Sequence, residues 1–258
     1  MPAIARVRFE ALRTMEDGAL RVGVLAAESS DRLWAFKNSI ADNMVMACGF
    51  GGPVPLLDIP EYPVTIFVRP GGDPERLELF TWDPLTSAGT GFDYADFAPV
   101  AEVPAVPMFG AGSLHMFMTQ ERGGAKHYFV RAHDPDGGTR DSDLIRSKIE
   151  SAPTRGRSGA LRMSPGAQPT FQWPHFVDPG LWISFLMVLE GPERTLRTGV
   201  YSWSTRWRFP EIRHVPFFYH DPDPTPTLTP GQEYEAIYAA IDSDRWIRYA
   251  DSLKFIAP

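Results

Sequence analysis

Prolines interrupt this chain from end to end: 25 fall among its 258 residues, about twice the usual share of roughly 5%. Proline removes a backbone donor and breaks a helix interior, but it is tolerated at turns and strand edges. So even a scatter leaves room for many short strands and few long helices. The expected fold is mainly β, an α+β chain with β dominant, built as an antiparallel β-sandwich of jelly-roll-like character. With 43% hydrophobic and 12% aromatic residues, such a chain buries a sizeable core without disulfides. Its single cysteine, Cys48, excludes an intrachain one.

Strands are expected near 64–69, 77–82, 114–120, 126–133, 182–189 and 200–209, with a further hairpin before residue 27. The linking turns have recognisable chemistry: Pro-Gly-Gly-Asp-Pro-Glu at 70–75, Arg-Gly-Gly at 122–124 and Gly-Pro at 191–192. All three read as hairpin turns. Trp182–Leu189 is apolar on both faces, as a central buried strand is. One helix is expected near 30–47, where Leu33, Phe36, Ile40, Met44 and Ala47 recur at helical spacing and Gly49 follows as a C-cap. A short helix is expected over 141–149. Residues 234–241 fit helix or strand equally.

The small, polar and basic run Thr154–Gln168 reads as a linker. It divides the chain into a β-rich lobe with one helix (1–153) and a second β-rich lobe (169–258), or marks a seam in one fused domain. An internal echo supports two related halves. Lys126-His127-x5-His133-Asp134-Pro135-Asp136 recurs as Arg213-His214-x5-His220-Asp221-Pro222-Asp223.

That echo yields the first candidate site. Imidazole and carboxylate are proper ligands for a divalent metal such as zinc, manganese or iron. Six residues of extended strand span roughly 20 Å, so His127 and His133 cannot share an ion. His133, Asp134, His220 and Asp221 are the metal candidates, on the condition that the two strand ends meet. The competing explanation is that Asp-Pro-Asp merely ends a strand and opens a turn. Asp134, Asp136, Asp141 and Asp143 form a further oxygen-rich loop around Gly137-Gly138, without the spacing of a calcium hand.

The second candidate is the segment 201–209, where Tyr201, Trp203, Thr205, Trp207 and Phe209 alternate with Ser202, Ser204, Arg206 and Arg208. Period two puts the aromatics on one face, as the inward face of a sandwich or as a binding platform. Trp203, Trp207, Arg206 and Arg208 are therefore the ligand-binding candidates, with the arginines suited to an anion. Cys48, followed by Gly49-Phe50-Gly51-Gly52, reads as a small buried hydrophobe rather than a nucleophile.

A net charge of −7 argues against a surface that tracks nucleic-acid phosphates. The longest apolar stretch, Leu181–Leu189, falls well short of the ~20 residues that span a bilayer as a helix. No apolar run follows the basic residues of the N-terminus, so a cytoplasmic address is the default expectation, with export that reads no N-terminal signal left open. Two functional readings follow. The first is a non-catalytic β-sandwich protein that binds a partner or self-associates. The second is a metal-dependent enzyme using the His/Asp strand ends.

Overall fold

The computed structural model describes residues 44–52, 64–100, 104–109, 111–119, 125–148, 154–155, 160–174, 180–211, 217–220 and 227–258. Within them the protein is almost entirely β. The described helical structure is one 3-10 turn, Tyr94–Asp96. No helix among the described residues is long and apolar enough to cross a membrane.

Four sheets stack face to face. Sheet I, one of the two outer layers, has the order β4 (Ala98–Pro99), β3 (Arg76–Trp82), β7 (His127–His133), β8 (Thr139–Asp141), with β9 (Ile145–Arg146) also on β7. Sheet II runs β1 (Met46–Phe50), β2 (Val64–Arg69), β6 (Ala111–Thr119), β5 (Val106–Met108). Sheet III is the largest: β10 (Thr154–Arg155), β18 (Ile247–Ile256), β17 (Glu233–Asp242), β13 (Leu181–Glu190), β14 (Thr195–Ser202), β16 (Phe217–His220). Sheet IV is β11 (Arg162–Ser164), β12 (Thr170–Gln172), β15 (Arg206–Arg208). Among the described strands all pairings are antiparallel except β10 on β18, and Gly49 and Trp246 form an isolated parallel bridge.

Alternation along each strand assigns side chains to layers. In β2, Val64, Ile66 and Val68 pack towards Leu79 and Val130 of sheet I, while Phe67 faces Met187 and Ile237 of sheet III. Every residue of β2 is buried, because sheet II is covered on both faces. Sheet III is covered too: Leu186 and Tyr238 on its far side meet Phe171 and Trp207 of sheet IV. The core between sheets II and III draws on residues both before and after 154–168. Inside that stretch, Thr154 and Arg155 pair with Tyr249 and Ala250, and Leu161 is buried.

Several expectations need correcting. The expected helix near 30–47 lies outside the described residues up to 43, but its end is strand: Met46–Phe50 form β1, paired with β2. Met46, Cys48 and Phe50 face one apolar layer while Val45 faces the other. An apolar run buried on both sides satisfies helical and strand periodicities alike. Gly49 is no left-handed cap. It lets Trp246 pass close, since a Cβ there would stand 2.8 Å from the indole, and its N–H donates to the Arg245 carbonyl at 2.9 Å.

The expected helix at 141–149 is extended through β9. Ser142 accepts from Val130 N–H and donates to the Asp143 carbonyl, so its hydroxyl serves the sheet. The hairpin expected before residue 27 lies outside the described residues; the turn at 191–192 does join β13 to β14 as a hairpin, but the two expected around 70–75 and 122–124 do not form. β2 and β3 lie in different sheets, as do β6 and β7. The 70–75 turn is a corner that carries the chain from sheet II to sheet I, with Gly71 and Gly72 at φ of 63° and 58°. Residues 234–241 are strand, paired on both sides. Trp182–Leu189 is the buried strand expected of it, within β13.

Segment 201–209 is not one strand. Ser202 Oγ accepts from Ser204 N–H (3.0 Å) and Ser204 Oγ accepts from Arg206 N–H (3.2 Å). These local bonds compete with a sheet ladder and turn the chain. As a result β14 ends in sheet III and β15 belongs to sheet IV.

Candidate functional site

The repeated His-Asp-Pro-Asp sits in two different contexts. The first copy closes β7, an interior strand of sheet I between β3 and β8. The second begins at the end of β16, which pairs with β14 at the end of the sheet III order. Asp221 lies outside the described residues. His133 donates from Nε2 to Glu78 at 3.0 Å, beside Arg76. Asp134 accepts both arms of the Arg140 fork, at 2.7 and 2.5 Å. That hydrogen bonding, with the guanidinium charge, holds the Asp134 carboxyl below the usual carboxylate range.

Arg140 also donates to the carbonyls of Pro70 and Gly71, both at 2.9 Å, so Asp134 helps to clamp the corner between sheets I and II. Asp136 accepts from Gly138 N–H within the turn. Of the other loop carboxylates, Asp141 holds Arg131 and Asp143 holds Arg245. Among the described residues no three His, Cys, Asp or Glu side chains converge as a metal would require.

His127 is held at both ring nitrogens. Nδ1–H donates to the Gly91 carbonyl (3.0 Å), and Nε2 accepts from Arg146 Nε–H (3.1 Å). The partners fix the tautomer, because a carbonyl can only accept and a guanidinium can only donate. Trp82 and Phe92 flank the ring.

The aromatic stripe divides between three environments. Tyr201 lies in the core between sheets II and III. Trp207, 3% exposed, and Phe209 pack between sheets III and IV, and the Trp207 indole N–H donates to the Glu211 carbonyl at 2.6 Å. Trp203, by contrast, is 51% exposed. Arg206 and Arg208 point outward from sheet IV. Three of the four ligand-binding candidates therefore reach the surface, and Trp207 does not. Ser202 and Ser204 make this break through their own backbone bonds, although in the sequence their alternation reads as a polar strand face.

Between sheets II and III lies an apolar cavity of about 30 Å³, lined by Cys48, Phe67, Arg69, Phe185, Met187 and Tyr201 among others. Sequence reasoning did not find it, since its walls come from strands far apart in the chain. Burial pushes the Cys48 thiol up to about 12, against a smaller downward pull from Arg245. Burial likewise raises the Tyr201 phenol, assisted by Cys48. Both groups stay neutral at ordinary pH, and the thiol is a poor nucleophile.

No family model matches the sequence, and no curated protein matches it. Solved structures that do match include the FN1–FN3 domains of chicken CNTN1, at 9% identity and a TM-score of 0.31, covering 82% of this chain and 65% of that one. A cytokine receptor complex matches at 14% identity and a TM-score of 0.26, over 73% of this chain and 90% of that one. The fibronectin(III)-like modules of Clostridium thermocellum CbhA match at 13% identity and a TM-score of 0.21, over 75% of this chain and 84% of that one. At these TM-scores no strand and no residue is carried over from one protein to another.

Proposed function

We propose that this chain is a non-catalytic β-sandwich protein that binds a partner or assembles with copies of itself. One contrast carries the reading. The groups suited to chemistry are tied up by neighbouring groups: the half-buried His127 at both nitrogens, the half-buried His133 on Glu78, and Cys48 as a buried neutral thiol. The groups suited to recognition, Trp203, Arg206 and Arg208, stand in solvent. Exposed indole and guanidinium are the side chains that most often anchor protein interfaces.

Sedimentation equilibrium over a wide concentration range, paired with metal analysis of protein purified without chelator, tests this reading. Concentration-dependent association, or saturable binding of a partner, is the expected result. A stoichiometric transition metal whose removal destabilises the protein would overturn it. That outcome would favour an enzyme built on His133, Asp134, His220 and Asp221.

A further inference from the structure

Sheet IV turns Met163, Phe171 and Trp207 inward, and its other face outward. The strand register sets the outward residues in two rows. Arg162 lies opposite Gln172, which lies opposite Arg206; Ser164 lies opposite Thr170, which lies opposite Arg208. Arg162, Ser164, Gln172, Arg206 and Arg208 are exposed, and Thr170 is half-buried. The three strands hold three arginines and no aspartate or glutamate, and the stretch 151–177 is also free of both, in a chain of net charge −7.

Partnering separates these arginines from most of the other described ones. Arg76, Arg131, Arg140, Arg146, Arg194, Arg197, Arg245 and Arg248 each meet a carboxylate. Arg162, Arg206 and Arg208 have no side-chain partner among the described residues. Three arginines of an acidic protein thus share one face with Ser164, Thr170 and Gln172, whose hydroxyl and amide groups can serve a peptide backbone.

We propose that the outer face of sheet IV docks an extended acidic segment of a partner protein, an inference that rests on the binding reading above and names the partner's chemistry. Spacing supports the choice. Arg206 and Arg208 stand about 7 Å apart along β15, the repeat at which an extended peptide presents alternate side chains to one side. Arg162 sits about 10 Å away, two strands across. Carboxylates at alternate positions would meet the arginine forks bidentately. A nucleic acid fits less well, because the outward residues of these three strands include no aromatic ring for base stacking, Trp203 lying in the turn before β15, and the net charge of −7 opposes a long polyanion. An anionic bilayer fits less well, because the outward residues of the three strands include no apolar side chain to insert and the exposed Trp203 stands in the turn beside them.

The experiment is a fluorescence-anisotropy titration of the full chain with a labelled peptide of alternating glutamate and serine, at low and high salt. Saturable binding that weakens with salt is expected. Arg162→Gln, Arg206→Gln and Arg208→Gln should each weaken it by up to about fivefold, the range of exposed ion pairs, and the triple variant by about tenfold or more. Lys254→Gln, which lies in sheet III beside Glu233, should leave affinity unchanged. Unshifted thermal melts certify that the variants fold. No binding, binding indifferent to the triple variant, or tighter binding of single-stranded DNA or phosphatidylserine vesicles overturns the proposal. Self-association that persists while the peptide is ignored sinks this surface alone. A functional metal sinks the broader reading whether or not the peptide binds.

Discussion

Truncating Trp203 and Trp207 separately tests how the stripe is divided, because two tryptophans four residues apart lie in opposite environments. Trp207 is 3% exposed, stacks on Phe171 at 6.0 Å and meets Phe209 edge-on at 5.6 Å. Burying about 200 Å² of indole at ~25 cal/mol per Å² gives about 5 kcal/mol as an upper bound. Trp207→Ala also strands the Glu211 carbonyl, worth about 1 kcal/mol more. A loss of about 3–5 kcal/mol is therefore expected. Trp203 keeps half its surface in water, so the same area argument caps Trp203→Ala at about 2.5 kcal/mol. Urea denaturation at equilibrium measures both. Acrylamide quenching adds an independent readout: losing Trp203 should remove a quenchable fraction of the emission, and losing Trp207 should not. Equal stability losses, or a larger loss for Trp203, would refute the division of segment 201–209 between the two sheets.

Gly49→Ala should cost about 1–3 kcal/mol, since its Cβ would press on a fully buried indole that cannot yield; a wild-type melting temperature would show that Trp246 does not pack there. Cys48 should resist thiol reagents in native protein and react once unfolded, and rapid native labelling would contradict its burial. Its folded-state pKa lies above its unfolded value, so its contribution to stability is intact below pH ~9 and is lost as pH rises towards about 12; a chemical-denaturation series at alkaline pH reads this. Asp134 runs the other way: its pKa is depressed by Arg140, so its contribution is present above the ordinary carboxylate range and is lost on acidification. Asp134→Asn should flatten that acid limb, and an unchanged limb would mean that the corner does not depend on the pair.

Much of the layering was legible because turn chemistry and burial act locally. β2, β7 and β13 stand within a residue or two of where their apolar runs lie, and the Asp-Pro-Asp-Gly-Gly turn closes β7 onto β8 as its aspartates and glycines suggest. What the sequence concealed is which strand pairs with which. A two-sheet sandwich whose faces alternate polar and apolar identifies its own outer surface. Here sheets II and III are covered on both sides, so β2 and β17 lose the alternation that distinguishes inside from outside. The same loss made Met46–Phe50 resemble the end of a helix.

The site was legible in part, for a related reason. Ser202 and Ser204 carry the turn that separates Trp203 from Trp207, but serine at alternate positions of a strand looks the same as a polar face until its hydroxyls are seen accepting from their own backbone. Arg206 and Arg208 were identifiable as outward residues from alternation alone. Arg162 was not, because it lies in a basic stretch that reads as a linker, and only the register β11–β12–β15 brings it into a row with Arg206. The cationic face is thus a product of topology: the consecutive strands β11 and β12 share one surface with β15, which comes from a later stretch of the chain. No single stretch of sequence announces it, and its arginines face solvent because neither these strands nor the stretch 151–177 supplies a carboxylate.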